Sequence, residues 1–202
     1  MNLALFDFDG TVTTQDTFTP FMRYAIPTFR RTIGAILLSP MILAYKKKLI
    51  GASSLRQKIC QMGFAGRQVE EVRDLGEAYA RNFLPTLIRP QAKDRIAWHR
   101  QQGDRIVLVS ASLDVYLTEW CQMNQIELIC SELEIVNGRY TGRYQNGDCT
   151  GIEKARRIRQ RYQLQDYPVI YAYGDTPEDH AMLELAHEKI YGWHPFDSGD
   201  SK

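Results

Sequence analysis

Long apolar runs are scarce in these 202 residues. The greasiest segment, Ile33 to Tyr45, covers 13 residues. As a helix it would measure about 20 Å, short of the ~30 Å hydrocarbon core of a bilayer, and Ser39-Pro40 would interrupt it. That excludes a transmembrane span and leaves a buried helical hairpin or an interfacial segment. The larger share of the expectation falls on the buried hairpin. Neither sign of charge dominates, with 25 Lys+Arg against 24 Asp+Glu. That balance argues against nucleic acid as the main partner. Cysteine is sparse and scattered: Cys60, Cys121, Cys130 and Cys149 form no Cys-x-x-Cys pair. A zinc ribbon and a disulfide framework are thereby excluded, and reduced thiols are expected. His99, His187 and His194 have no metal-ligand spacing, and His180 reads as a helix-surface residue. No secretory leader pattern precedes the first strand, so a cytoplasmic location is expected. No internal repeat is visible.

What is present is concentrated at the start, in Leu3-Ala-Leu-Phe-Asp-Phe-Asp-Gly-Thr-Val-Thr13. Met1 to Phe6 is almost wholly apolar, as suits a strand buried on both faces of a parallel sheet. Asp7 and Asp9 follow two residues apart, which on an extended chain puts their side chains on one side, with Phe8 opposite. Gly10 permits a sharp turn, and Thr11 and Thr13 offer hydroxyls and backbone N–H groups beyond it. Ligands of open α/β sheets bind just beyond the carboxyl ends of strands. Two adjacent carboxylates there repel unless a cation or a shared proton relieves them, and Mg²⁺ accepts such oxygen ligands. An Asp-Gly turn after a strand is also common scaffold, so this stretch alone does not decide the function.

From Asp16 to Pro90 the texture is helical, without strand-like alternation. Asp16-Thr17 offers a cap. Arg30, Arg31 and Lys46-Lys47-Lys48 flank the greasy segment, Ser53 opens another helix, and Gln68 to Phe83 is amphipathic with Val69, Val72, Leu75, Ala78, Tyr79 and Phe83 at helical spacing. Ala92 to Gln102 is a helix stopped by Gly103. Arg105 to Val109 is a buried strand closing on Ser110-Ala111-Ser112. A helix from Val115 to Asn124 and a short strand, Glu127 to Cys130, follow. Glu132 to Tyr144 alternates around Asn137-Gly138, a hairpin signal, and reads as scaffold. Thr150 to Tyr162 is a basic helix, and Val169 to Tyr173 is a strand leading into Gly174-Asp-Thr-Pro-Glu-Asp179. A helix from His180 to Ala186, a strand Lys189 to Tyr191 and a frayed tail, Asp197 to Lys202, complete the chain. Strands alternating with helices predict an α/β fold, a doubly wound parallel sheet.

Three apolar strands thus end in polar groups: Asp7 and Asp9, then Ser110, then Asp175 with Asp179, while Lys154 lies on the helix between the last two. Only a parallel sheet brings such ends together. The set fits phosphoryl transfer: a carboxylate can attack phosphorus, a hydroxyl and an ammonium can hold phosphate oxygens, and Mg²⁺ can offset carboxylate–phosphate repulsion.

With these motifs in this order, Asp7-Phe-Asp-Gly-Thr, Val107-Leu-Val-Ser-Ala-Ser112, Gly151-Ile-Glu-Lys154 and Gly174-Asp-Thr-Pro-Glu-Asp179, the chain resembles the haloacid dehalogenase superfamily of hydrolases. Ser-Ala-Ser and the helical insertion point to its phosphoserine phosphatase-like branch (subfamily IB). The resemblance implies a Rossmann-like core, residues 1–14 and 91–202, with a helical cap at 15–90. It implies a Mg²⁺-dependent phosphomonoesterase in which Asp7 is the nucleophile and forms an aspartyl-phosphate, while Asp9 is the general acid and base. Thr11, Ser110, Ala111 and Lys154 would bind phosphate. Asp7, Asp175 and the Asp9 carbonyl would ligate the metal, and Asp179 would support the site. Dehalogenase members lack the second aspartate, so Asp9 favours phosphate chemistry.

In the cap, Asp16 and Arg56 match the acidic residue and arginine with which phosphoserine phosphatases grip the amino acid. Two features depart from that pattern: Glu178 stands where those enzymes have Asn, and a small zwitterion needs no greasy lid. Some bacterial relatives resemble phosphatidylglycerophosphate phosphatases with an apolar, basic-flanked cap, so the expected substrate is a small-molecule or lipid phosphate. A peripheral membrane contact through residues 30–48 is the accompanying expectation. A phosphotransferase using the same aspartyl-phosphate is the alternative activity. A non-catalytic binding protein would not need this full set of groups.

Overall fold

In a computed structural model, which describes residues 1–196, the apolar strands assemble around the first one. The strands are β1 (Leu3–Phe6), β2 (Arg105–Leu113), β3 (Glu127–Ser131), β4 (Leu133–Val136), β5 (Arg139–Tyr144), β6 (Ile170–Gly174), β7 (Glu188–Tyr191) and β8 (His194–Pro195). Six of them form one sheet in the order β3-β2-β1-β6-β7-β8. Every pairing from β3 to β7 is parallel, and β8 alone runs antiparallel, on β7. The sequence reading missed β8, whose two residues are too few for a pattern. The expected tail at 197–202 lies outside the described residues.

Period-two alternation divides the sheet's side chains between two cores. Leu3, Leu5, Val107 and Val109 pack with Ile158, Met182 and Leu183. The last three come from α8 (Ile152–Arg161) and α9 (His180–Leu183). Ala4, Phe6, Ile106 and Leu108 join the opposite core with Ile96, Leu117 and Trp120. Those residues belong to α6 (Pro90–Gln101) and α7 (Asp114–Met123). Burial on both faces is why these strands read as near-continuous apolar runs. The strand order reverses between β1 and β6, a topological switch point of the kind where α/β sheets bind ligands.

Between β1 and α6 the chain forms α1 (Phe18–Ala25), α2 (Thr28–Leu37), α3 (Ser39–Lys46), α4 (Ala52–Phe64) and α5 (Val69–Asn82). Phe21, Phe64 and Tyr79 carry the second core up into this helical layer. The inner face of α5 is Val72, Gly76, Tyr79 and Ala80, while Phe83 lies outside it, exposed. A Cβ on Gly76 would stand 2.0 Å from the Val115 carbonyl oxygen, so only glycine allows α5 this close to α7.

One expectation is corrected here. The greasy segment does break near Pro40, into α2 and α3, but it is not a buried hairpin. Gly34 is the one buried residue of α2, and α3 buries none. Ile36 is 68% exposed and Leu37 62%. Helical periodicity shows that a stripe is apolar, not that anything covers it, and no described element covers this one. Arg30, which flanks this segment, is half-buried: its Nη1 donates to the Gly63 and Ala65 carbonyls at 3.4 and 2.9 Å, holding α2 to α4. The β4–β5 hairpin, in turn, is attached to the helical layer. A Cβ on Gly142 would lie 2.5 Å from the Gln61 Cα on α4, and Arg139 bridges to Gln68. No described helix is long and apolar enough to cross a membrane.

Candidate active site

β1 ends at Phe6, where the apolar run of the sequence ends. Asp7 closes the strand by donating its N–H to the Tyr173 carbonyl at 2.9 Å, and Phe8–Val12 then form a wide turn whose dihedrals leave the helical region at Asp9 and Gly10. Gly10 has φ +89°, and a Cβ there would meet Asp175 Oδ2 at 2.1 Å. The glycine is therefore required twice, by the backbone angle and by the approaching carboxylate. Thr11 Oγ1 donates to Asp175 Oδ1 at 3.0 Å. Two distant side chains brace the turn: Arg89 Nη2 donates to the Gly10 carbonyl at 2.9 Å and Trp193 Nε1 to that of Thr11 at 3.2 Å.

This turn sends the two aspartates to different partners, rather than leaving them side by side on a strand. Asp7 meets Lys154, whose buried Nζ donates to Asp7 Oδ1 at 2.5 Å and to Asp179 Oδ1 at 2.6 Å. Burial works against the Lys154 ammonium, but Asp7 and Asp179 outweigh it and hold it charged. The two carboxylates do not share this cation equally. Asp179 Oδ2 also accepts from the N–H groups of Asp175 and Thr176 and from Thr176 Oγ1, at 3.1, 3.0 and 3.0 Å. Burial opposes its charge, yet Lys154 and these donors keep its carboxyl below the ordinary range. Asp7 has no such support, and burial pushes it up to about 8 despite Lys154. Burial also raises the half-buried Asp175, against the Thr11 hydrogen bond. Carboxylate oxygens of Asp7, Asp175 and Asp179 lie within 4.8 Å of one another. Three carboxylates facing one ammonium leave an excess of negative charge that a divalent cation would relieve.

Asp9 has a different set of partners. Its Oδ1 accepts from both the N–H and Oγ1 of Thr17 at 2.6 Å, and its Oδ2 from Ser112 Oγ at 2.5 Å. Burial raises its pKa, and the Ser112 and Thr17 donors oppose that rise. Thr17 is itself fixed by Tyr116 OH at 3.0 Å and by Tyr79 OH, which donates to its carbonyl at 3.0 Å. The sequence reading singled out neither Thr17 nor Ser112. Ser112 sits two residues beyond Ser110 in the same motif, and that proximity was the only signal.

The remaining sequence-selected residues divide in the same way. Ser110 is fully buried on β2, and its Oγ accepts from the Ser112 N–H at 3.0 Å. Ala111 lies beside it, half-buried. Thr11 reaches the cluster, but its hydroxyl is engaged by Asp175. Asp16 is exposed and caps α1, accepting from the Phe18 and Thr19 N–H groups at 3.1 Å each. Arg56 pairs with two carboxylates of the sheet layer. Its Nη2 donates to Asp148 Oδ2 at 2.8 Å and lies 3.6 Å from Glu178 Oε2, tying α4 to two loops of the sheet layer. Glu178 also accepts from Thr150 Oγ1. His180 is half-buried against Tyr191 and Phe196.

The family model of haloacid dehalogenase-like hydrolases matches residues 4–184. Protein CicA of Caulobacter vibrioides is 31% identical over 199 residues, spanning 94% of this chain and 85% of that protein. A solved protein of unknown function from Bordetella pertussis Tohama I superposes with a TM-score of 0.78 at 23% identity, covering 94% of this chain and 89% of its own. A phosphoserine phosphatase carrying a phospho-aspartyl intermediate analogue superposes with a TM-score of 0.64 at 17% identity, over 94% and 85%.

Proposed function

The chain belongs to the haloacid dehalogenase-like hydrolases, and on that premise we propose that it is a phosphomonoester phosphatase working through an aspartyl-phosphate on Asp7. The observation that carries this reading is the different set of partners around each aspartate. Asp7 lies against a buried ammonium, and Asp9 lies among three hydrogen-bond donors. A carboxylate oxygen of Asp7 attacks phosphorus, the ester P–O bond breaks, and the leaving oxygen takes a proton from Asp9. Asp9, now a carboxylate, draws a proton from a water molecule whose oxygen attacks phosphorus. The Asp7–phosphorus bond then breaks and inorganic phosphate leaves. Ser110 and the Lys154 ammonium would hold phosphate oxygens, and the Asp179 carboxylate, bonded to Lys154, would keep it in position. In this reading residues 15–90 act as a cap over the core.

The donor set suits Mg²⁺, an oxygen-seeking cation. Asp7, Asp175 and the Asp9 carbonyl would hold it, and it would supply positive charge to offset the repulsion between carboxylates and phosphate. Hydrolysis of p-nitrophenyl phosphate is expected to fall to background in excess chelator and to return on adding Mg²⁺. Full activity in chelator would reject the metal site.

Borohydride reduction of the enzyme quenched during turnover tests the intermediate. It should convert Asp7, and no other aspartate, to homoserine, as read by peptide mass spectrometry. Absence of that product under steady turnover would reject the aspartyl-phosphate. The pH profile tests Asp9. Removing one donor to its charged form in Ser112→Ala should raise its pKa further. Asp9 must begin protonated to serve as the acid, so the alkaline limb of kcat/KM should move to higher pH. A limb that stays put or moves down would detach Ser112 from the acid.

The substrate is a phosphorylated small molecule, which screening across sugar, amino-acid and nucleotide phosphates would identify. A lipid phosphate such as phosphatidylglycerophosphate is the second reading, favoured by the exposed apolar face of α2 and α3. Transfer of the phosphoryl group to an added alcohol would show up as a new ester product and make the enzyme a phosphotransferase.

A further inference from the structure

Charge is distributed unevenly along this nearly neutral chain. From Thr17 to Val69 there is no Asp or Glu, while Arg23, Arg30, Arg31, Lys46, Lys47, Lys48, Arg56, Lys58 and Arg67 give nine positive charges. The other 149 residues carry 16 basic and 24 acidic side chains. The cationic stretch is also where the apolar surface lies. Phe29, Ile33, Ile36 and Leu37 follow helical spacing on α2, and all are exposed. On α3 and just beyond it Leu43, Tyr45 and Leu49 are exposed as well, Leu49 by 73%. Water-facing patches of this kind mark interaction sites rather than ordinary monomer surface.

We propose that the α2–α3 face docks on an anionic lipid surface, its apolar stripe entering the interface and its cations meeting the headgroups. This goes beyond the catalytic reading and does not depend on it. Helices of ten and eight residues are too short to cross a bilayer and suited to lying along it. Exposed cations stand at both ends of the pair: Arg31 in the first turn of α2, and Lys46, Lys47 and Lys48 at the close of α3. Their long stems can follow the apolar surface while their charges stay in the headgroup layer. A two-fold dimer through this face would bring like charge against like charge. An anionic bilayer complements both its charge and its apolarity.

Sedimentation with vesicles decides the matter. The probe is equal parts phosphatidylglycerol and phosphatidylcholine, with pure phosphatidylcholine as comparison. Wild-type protein is expected to pellet with the anionic vesicles at about 50 mM salt and to be released at about 500 mM. The Arg31→Gln, Lys46→Gln, Lys47→Gln, Lys48→Gln variant should bind at least about a hundredfold more weakly. Ile36→Ser with Leu37→Ser should lose binding while keeping its charge. All six positions are exposed, so thermal unfolding and hydrolysis of p-nitrophenyl phosphate should stay unchanged, which separates failure to dock from failure to fold or to catalyse. Wild-type protein left in the supernatant at low salt would overturn the proposal. So would equal binding to neutral vesicles, or a dimer through this face with no vesicle binding.

Discussion

Asp7→Asn is expected to lower turnover at least about a thousandfold, the scale of losing a catalytic nucleophile, without unfolding the protein. The amide keeps the shape of the carboxylate and can still accept a hydrogen bond from Lys154, but it cannot form an aspartyl-phosphate. The stability outcome has a definite sign. Burial places the folded pKa of Asp7 at about 8, above its unfolded value near 4. The folded state therefore holds this proton more tightly, and the group's contribution to stability is lost as pH rises between those values. Asn carries no such dependence. In chelator at pH 8, Asp7→Asn should unfold at or above the wild-type temperature, and the two should converge near pH 4. Activity within tenfold of wild type, in protein whose mass is verified, would sink the nucleophile assignment. A variant that unfolds well below wild type at pH 8 would overturn the account of the site's electrostatics.

Lys154→Met should cost both stability and activity. The native ammonium is buried between two carboxylates, and removing it leaves them facing each other without compensation. Breaking a buried ion pair from one side typically costs about 3–5 kcal/mol. For a chain of this size that corresponds to a fall of about 6–20 °C in Tm. The penalty should shrink as pH is lowered and Asp7 takes up a proton. Adding Asp179→Asn should restore part of the lost stability by removing one carboxylate, but none of the lost activity, because the cation facing phosphate is still missing. A single variant that melts with wild type would show that Lys154 does not neutralise this pair.

Much of this site was legible in the chain because its signals are local. The apolar runs Leu3–Phe6, Val107–Val109 and Ile170–Tyr173 each end in polar residues, and a parallel sheet directs those ends to one edge. The structure brings Asp7, Lys154, Asp175 and Asp179 together, while the hydroxyl of Ser110 accepts from Ser112. What surrounds Asp9 was not legible. Ser112 reaches it across 103 residues and Thr17 across eight. In the sequence Thr17 looks like a helix-start residue, which by position it also is. The partner of Arg56 was not legible either. The place of Arg56 in the cap suggested a substrate contact, whereas its nearest anion, Asp148, is 92 residues away and lies in a stretch with no motif.

The sequence by itself determined the parallel strands, the helical insertion and the identity of the reactive groups. Periodicity, glycine placement and residue chemistry act within a few residues of chain. Only the tertiary structure decided which carboxylate faces the lysine and which faces the hydroxyls. Gly10, with φ +89°, turns the chain just beyond Asp9, and the partners that receive each side chain come from other segments. The same holds for α2 and α3. Their composition fixed an apolar, basic-flanked helical pair, but whether that face is covered depends on what the rest of the fold sets against it, and here α4 supports one side while the other faces outward.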